Sequence, residues 1–292
     1  MGWRSKMRTQ YVATIALDEA RLAKDIEQTA SFRFSEAYSN YLIGGPWKSV
    51  MLWAPDGDTG SGVMTTYANE QRSAFTEYGR RLPYLQELIT NTVDLSRLHF
   101  VRMAVFTDSV IIPHRDYLEL TDVPDEVRWE HRMHIPLVTH ENCWFSQDNV
   151  VYRMRAGEIW HFDAAQIHAA VSLSTSPRIH LVFDFVNRTG SGSLVNAEPD
   201  GTGEDIPAQR RIDRPRLTDV GRAGLMRLAD VLTMDNVREV FSIVIKSHFR
   251  WDGGENTAWD TMTDIARASP DPAVLPHVLE LRRYFTLDRT VG

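Results

Sequence analysis

Between Arg97 and Val186 the chain reads HFVRMAVF (99–106), SVIIP (109–113), HRMHIPLV (131–138), NVVYRMR (149–155), GEIWHF (157–162), HAAVSL (168–173) and RIHLVFDFV (178–186), with Asp, Asn, Gly and Pro punctuating the gaps. Short runs rich in β-branched and aromatic residues, bounded by turn formers, read as strands. No helical periodicity intervenes, so an antiparallel sandwich or barrel is expected rather than alternating strand–helix units. Upstream, Ala16–Ala30 offers Asp18 as an N-cap, with Leu22 and Ile26 four apart on one helix face. Trp47–Trp53 is an apolar, strand-like piece between Gly-rich loops, and a second helix is expected from about Glu70 to about Ile89, disturbed at Pro83. Downstream, residues 187–209 (NRTGSGSLVNAEPDGTGEDIPAQ) have the composition of a linker or loop. Leu225, Leu228, Leu232 and then Val237, Val240, Phe241, Val244, Ile245 and His248 follow the spacing of an amphipathic helix pair, and a third helix is expected near Pro272–Tyr284. The expectation is a mainly β core with helices (α+β). Residues 1–190 would form the core with its N-terminal helices, 191–205 a linker or mobile loop, and 206–292 a C-terminal helical domain.

The 292 residues are 43% hydrophobic and 24% charged, the balance of an ordinary globular protein. A net charge of −7, with 32 Lys+Arg against 39 Asp+Glu, leaves no cationic surplus for a phosphate backbone, so nucleic acid is excluded as a partner. The apolar stretch Ile179–Val186 is interrupted by His180 and Asp184 and falls far short of the roughly 20 residues of a membrane span. The first fifteen residues hold no continuous apolar run and no small-residue cleavage site, so a cytoplasmic protein is expected. Cys143 is the single cysteine, which rules out an intrachain disulfide and a Cys-rich zinc site. Any metal must be held by His and carboxylate.

The strongest chemical signal is Pro113-His114-Arg115-Asp116 at the end of an apolar run, followed 52 residues after Asp116 by His168 at the start of another strand. Residues i and i+2 of an extended chain share a face, so His114 and Asp116 project together. With a second imidazole they match the facial triad of non-haem Fe(II) oxygenases, which leaves three adjacent positions open for a bidentate cosubstrate and O₂. Taken alone, the pair reads more simply as a hydrogen-bonded surface loop. Ten residues after His168 stands Arg178, and alternation puts Arg178, His180, Val182 and Asp184 on one face of the last strand. A buried guanidinium there needs an anion: either a bidentate carboxylate ligand, or an internal salt bridge with Asp184 as the natural partner. Arg132-Met133-His134 adds another cation and histidine to the same interior, whereas His131 and His140 read as surface or supporting residues.

PHRDYLELTD (113–122), EHRMHIPL (130–137), the stretch 149–174 and PRIHLVFDFV (177–186) resemble the bacterial free L-proline hydroxylases, particularly the proline cis-4-hydroxylases, of the aspartyl/asparaginyl β-hydroxylase group. The resemblance extends upstream through FSEAYSNYLIGGPWKSVMLWAP (34–55) and TEYGRRLPYL (76–85). It implies a double-stranded β-helix (jelly-roll, cupin-like) core and an Fe(II)- and 2-oxoglutarate-dependent dioxygenase that consumes O₂ and releases succinate and CO₂. His114, Asp116 and His168 would be the iron ligands, Arg178 the clamp on the 2-oxoglutarate C5 carboxylate, and Arg132 and His134 its further contacts. A small-molecule amino-acid substrate, free L-proline or L-pipecolate, is expected. Arg102, alternating with Val101 and Met103, is the candidate for its carboxylate, or else the partner of an Asp or Glu in an interior salt bridge, and Tyr38 and Trp47 are candidates to wall its ring. Trp160 is assigned to packing. A peptide-directed hydroxylase and a cupin-like metalloenzyme or metal-binding module are the competing readings. Whether the chain is a monomer or a homodimer is not legible.

Overall fold

The computed structural model describes residues 9–36, 42–44, 47–60, 72–116, 132–185, 193–198 and 206–286. In chain order these form β1 (Gln10–Thr14), α1 (Glu19–Gln28), β2 (Leu42–Gly44), β3 (Trp47–Pro55), β4 (Ser73–Phe75), α2 (Pro83–Thr92), β5 (Leu98–Phe106) and β6 (Ser109–His114). Then follow β7 (Arg132–Val138), β8 (Cys143–Gln147), β9 (Val150–Tyr152), β10 (Glu158–His161), β11 (His168–Ser172), β12 (Arg178–Phe185), α3 (Asp219–Met226), α4 (Val237–Arg250), α5 (Thr257–Ala268) and α6 (Val274–Thr286). No helix among the described residues is long and apolar enough to cross a membrane.

The strands pair in two antiparallel sheets, β1-β10-β7-β12-β5-β3-β4 and β2-β6-β11-β8-β9. The eight consecutive strands β5 to β12 thus occupy the orders sixth-third-eighth-first in one sheet and second-seventh-fourth-fifth in the other, the chain crossing between sheets at every connection except the β8–β9 hairpin. That is the double-stranded β-helix. Tight turns seal it: Asp148 and Asn149, with φ of 47° and 62°, supply the two left-handed residues that a two-residue hairpin between β8 and β9 requires. Gly157 has φ +79°, and a Cβ there would meet the Ile15 carbonyl oxygen at 2.4 Å, so β1 and β10 can close only over glycine.

Each sheet buries both faces, and three apolar clusters result. The outer face of the large sheet (Val50, Leu52, Val101, Met103, Met133, Ile135, Leu181, Phe183) packs under α1 and α2. The outer face of the small sheet (Val110, Ile112, Ala169, Val171) shares one core with Val240, Phe241, Val244, Trp259, Met262 and Phe285 of the C-terminal helices. Between the sheets lie Phe106, Phe145, Tyr152, Trp160 and Phe162.

Two expectations require correction. Residues 73–75 pair with β3 as a strand, and the helix begins at Pro83, which sits in its first turn where the missing N–H is harmless, rather than interrupting a longer helix. Within the Gly/Ser-rich stretch, Leu194 and Val195 are buried in the core beneath α2, and Val195 bridges to Val93. Strands β1, β2 and β8 and helix α5 were not anticipated. Trp160 is wholly buried and donates its indole N–H to Glu158 at 3.0 Å, a packing role as expected.

Candidate functional site

Strands β6 and β11 are neighbours in the small sheet, and their register sets His168 directly opposite His114. Their rings lie 4.2 Å apart between centroids. Asp116 follows two residues beyond His114, its backbone held by an N–H to the Ala164 carbonyl at 2.9 Å, and its Oδ1 lies 3.3 Å from His114 Nε2. One ligand atom from each of His114, Asp116 and His168 falls within 4.8 Å of the others. Two imidazoles and one carboxylate converging on a point suit a divalent transition metal.

The orientation of both rings follows from their second nitrogens. His114 Nδ1 is 2.7 Å from the Ile112 carbonyl and His168 Nδ1 is 2.9 Å from the Gln166 carbonyl. A carbonyl oxygen only accepts, so each ring donates from Nδ1–H and turns its Nε2 toward the other ligands. Burial pushes the His168 pKa down to about 3, with the neighbouring His114 acting in the same direction, so this ring is neutral at physiological pH. Burial alone would raise the Asp116 carboxyl. The Arg132 guanidinium and the His114 and His168 rings outweigh it and hold Asp116 well below the usual carboxylate range.

The inner face of the large sheet supplies the rest. Register pairs Arg178 with Phe106, His180 with Ala104 and Pro136, Val182 with Arg102 and His134, and Asp184 with Arg132, so all these side chains share the interior. The Arg178 guanidinium lies 4.8 Å from each of the Phe106 and Phe145 ring centroids. It is buried, and its Nε and Nη1 have no hydrogen-bond partner. Burial lowers its pKa to about 10, which leaves it a cation at neutral pH. The proposed internal partner, Asp184, is engaged elsewhere: it accepts from Arg132 Nε at 2.6 Å and from Arg102 Nη2 at 2.9 Å. The reason is distance, since six residues of strand separate Arg178 from Asp184 by roughly 20 Å.

His134 is buried with Nδ1 unpartnered, and Phe162 spans from it (4.8 Å) to His168 (4.9 Å). Arg132 reaches past Asp184 to donate from Nη1 to Asp116 Oδ2. Trp47 stands opposite Phe106 and packs on the interior cluster. Tyr38 and His131 lie outside the described residues. His140 contacts Cys143 Sγ at 3.1 Å. Two interior residues escaped the sequence reading: Asp184, as the junction of two arginines, and His180, buried with both ring nitrogens unpartnered and 5.8 Å from the His134 ring. Both stand on the alternating face that begins at Arg178, which was the available signal.

The family model for aspartyl/asparaginyl β-hydroxylase matches residues 9–188. The chain belongs to the aspartyl/asparaginyl β-hydroxylase family. A second model, for the C-terminal part of L-proline 3-hydroxylase, matches residues 193–292 of this β-hydroxylase family member. Among its relatives are an L-proline cis-4-hydroxylase of Rhizobium meliloti, 30% identical over 288 residues covering 98% of each chain, and an L-proline cis-3-hydroxylase of a Streptomyces species, 27% identical over 98% of this chain and 97% of the other. Solved structures similar to it include a 2OG-Fe(II) oxygenase family oxidoreductase of Burkholderia pseudomallei, 14% identical, TM-score 0.40, covering 62% of this chain and 86% of that one. A prolyl-4-hydroxylase of Pseudomonas putida is 14% identical, TM-score 0.35, covering 62% and 94%.

Proposed function

We propose that this β-hydroxylase family member hydroxylates a ring carbon of free L-proline, with L-pipecolate as a second substrate, in the cytoplasm. As a family member the chain is a 2-oxoglutarate-dependent dioxygenase that works with Fe(II) and O₂. One observation carries the reading: the His114–Asp116–His168 cluster opens on an interior in which Arg178 is a buried cation with two unpartnered nitrogens. A metal alone would have no use for Arg178, whereas a keto diacid bound to the metal presents a distal carboxylate that its fork accepts in two hydrogen bonds.

His114, Asp116 and His168 would hold Fe(II), and the donor set fits: two imidazole Nε2 atoms and a carboxylate converging from neighbouring strand ends. Bound there, Fe(II) with 2-oxoglutarate supplies the oxidising power to hydroxylate an unactivated C–H bond, with succinate and CO₂ as coproducts. The chain's own contribution is positional. Arg178 receives the C5 carboxylate, and His134, neutral because burial and the neighbouring Arg132 and Arg178 depress its pKa, offers a hydrogen bond to the same cosubstrate. Arg132 serves this centre through Asp116. Phe145, Phe162 and Trp160 keep the interior dry. Arg102, its orientation fixed by Asp184, would meet the amino-acid carboxylate, while Trp47 and Tyr38 would flank the ring.

The relatives named as L-proline hydroxylases span nearly the full chain, which supports the amino acid rather than a peptide as substrate. Aerobic incubation with Fe(II), 2-oxoglutarate and a panel of L-proline, L-pipecolate and a proline-containing peptide tests this. A mass gain of one oxygen on the free amino acids supports the reading, and turnover confined to the peptide overturns it.

A further inference from the structure

We propose that Asp184 is a positioning residue of the metal centre, acting through Arg132 on the Asp116 carboxylate. The inference rests on reading His114, Asp116 and His168 as metal ligands. Asp184 is fully buried at the far end of β12 and stands directly opposite Arg132 in the β12–β7 pairing. Its Oδ1 accepts from Arg132 Nε at 2.6 Å and its Oδ2 from Arg102 Nη2 at 2.9 Å. The other end of the Arg132 fork, Nη1, donates to Asp116 Oδ2, while Asp116 Oδ1 lies on the His114 side at 3.3 Å from Nε2.

The two oxygens of Asp116 are therefore not equivalent. A carboxylate free to rotate can chelate a divalent ion through both oxygens and fill a position that a cosubstrate needs. With Oδ2 held by a guanidinium, only Oδ1 faces the imidazoles. Arg132 can hold Oδ2 only if its own long side chain is fixed, and Asp184 fixes it at Nε. Groups that orient ligands in this way typically govern metal affinity by tenfold to a hundredfold. Arg102 completes the satisfaction of the buried Asp184 charge, which would otherwise be costly in this interior.

The test is Ni(II) binding by calorimetry to the full chain, in a two-by-two set of Asp184→Asn with and without Asp116→Ala. Asparagine keeps the shape and removes the charge. The lost charge acts on the metal in both backgrounds, whereas positioning acts only where Asp116 is present. The expected result is a dissociation constant raised about ten- to hundred-fold by Asp184→Asn in the natural chain, and by no more than about threefold in the Asp116→Ala background, since residues in one network are not additive. Equal effects in the two backgrounds, or none, would overturn the proposal. If Asp184→Asn does not fold, Arg132→Lys, which keeps the charge and loses the two-ended bridge, is taken through the same set with the same expectations. Ni(II) binding that persists in His168→Ala would instead refute the metal-centre reading itself, which separates the two failures.

Discussion

Arg178 and Asp184 enter the barrel interior from the same face of β12 and do not pair: Asp184 is held by Arg102 and Arg132, and Arg178 lies between the rings of Phe106 and Phe145. A buried cation with unpartnered nitrogens destabilises the fold until an anion arrives, by about 1–3 kcal/mol for each unsatisfied group. Arg178→Met should therefore leave the thermal midpoint of the ligand-free protein unchanged or raised, and abolish the stabilisation that 2-oxoglutarate confers with a divalent metal. Arg178→Lys, which loses the fork, should raise the apparent KM for 2-oxoglutarate at least about tenfold, about 1.4 kcal/mol. A large drop in ligand-free stability would make Arg178 a structural anchor instead.

Replacement of His114 or His168 by Ala should reduce turnover and bound metal to background, because one imidazole and a carboxylate do not hold a facial site, whereas Asp116→Ala should abolish turnover while its two imidazoles keep weakened metal binding. Metal content by atomic emission alongside succinate release separates loss of metal from loss of cosubstrate. Unaltered metal content and turnover in Asp116→Ala would remove the carboxylate from the ligand set.

Acid should unfold the protein early. Burial lowers the pKa values of His161 and His248 to about 4 and that of His168 to about 3, and holds His134 and His180 well below the ordinary histidine value. The unfolded chain binds more protons than the native one between pH 6.5 and about 4. Stability is thus fully present above pH 6.5 and is lost as pH falls through that window, at up to about 1.4 kcal/mol per pH unit for each such ring. Urea midpoints for the metal-free protein at pH 7 and pH 5 should show the fall, and His248→Gln, remote from the metal cluster in sequence, should lessen it. A midpoint independent of pH in this range would contradict the neutral, buried assignment.

The C-terminal helices are part of the barrel's stability. Trp259 of α5 is 1% exposed, packs on Phe241 and Phe285, and donates its indole N–H to the Pro113 carbonyl at 3.0 Å, one residue before His114. Trp259→Ala should cost about 3–5 kcal/mol, and Trp259→Phe about 1 kcal/mol for the lost hydrogen bond, both read from urea unfolding. A chain ending before residue 206 should be insoluble, since it exposes Val110, Ile112 and Val171 on the outer face of the small sheet.

What was legible in the sequence was local. Alternation along RIHLVFDFV belongs to a single strand and the spacing of His114, Asp116, His168 and Arg178 can be counted along the chain, and the strands that carry them hold their expected places. What was hidden depended on register between distant segments. Asp184 faces Arg132 because β12 pairs with β7 across 52 residues of chain, and nothing in either strand alone states that offset. The alternative pairing of Arg178 with Asp184 ignored the length of a strand. Helix α5 (TAWDTMTDIARA) escaped because Thr and Asp dilute its apolar face. The face is fixed by Trp259, Met262 and Ile265 packing with residues of the small sheet. The short β4 was absorbed into an expected helix because three residues carry no period of their own.

The most direct test supplies isotopically heavy O₂ to the protein with Fe(II), 2-oxoglutarate and free L-proline, and follows both products by mass. The account predicts one heavy oxygen in a monohydroxylated proline and one in succinate, formed in equal amounts. Succinate formed without hydroxylated proline, or hydroxyproline whose oxygen is unlabelled and independent of 2-oxoglutarate, would contradict it.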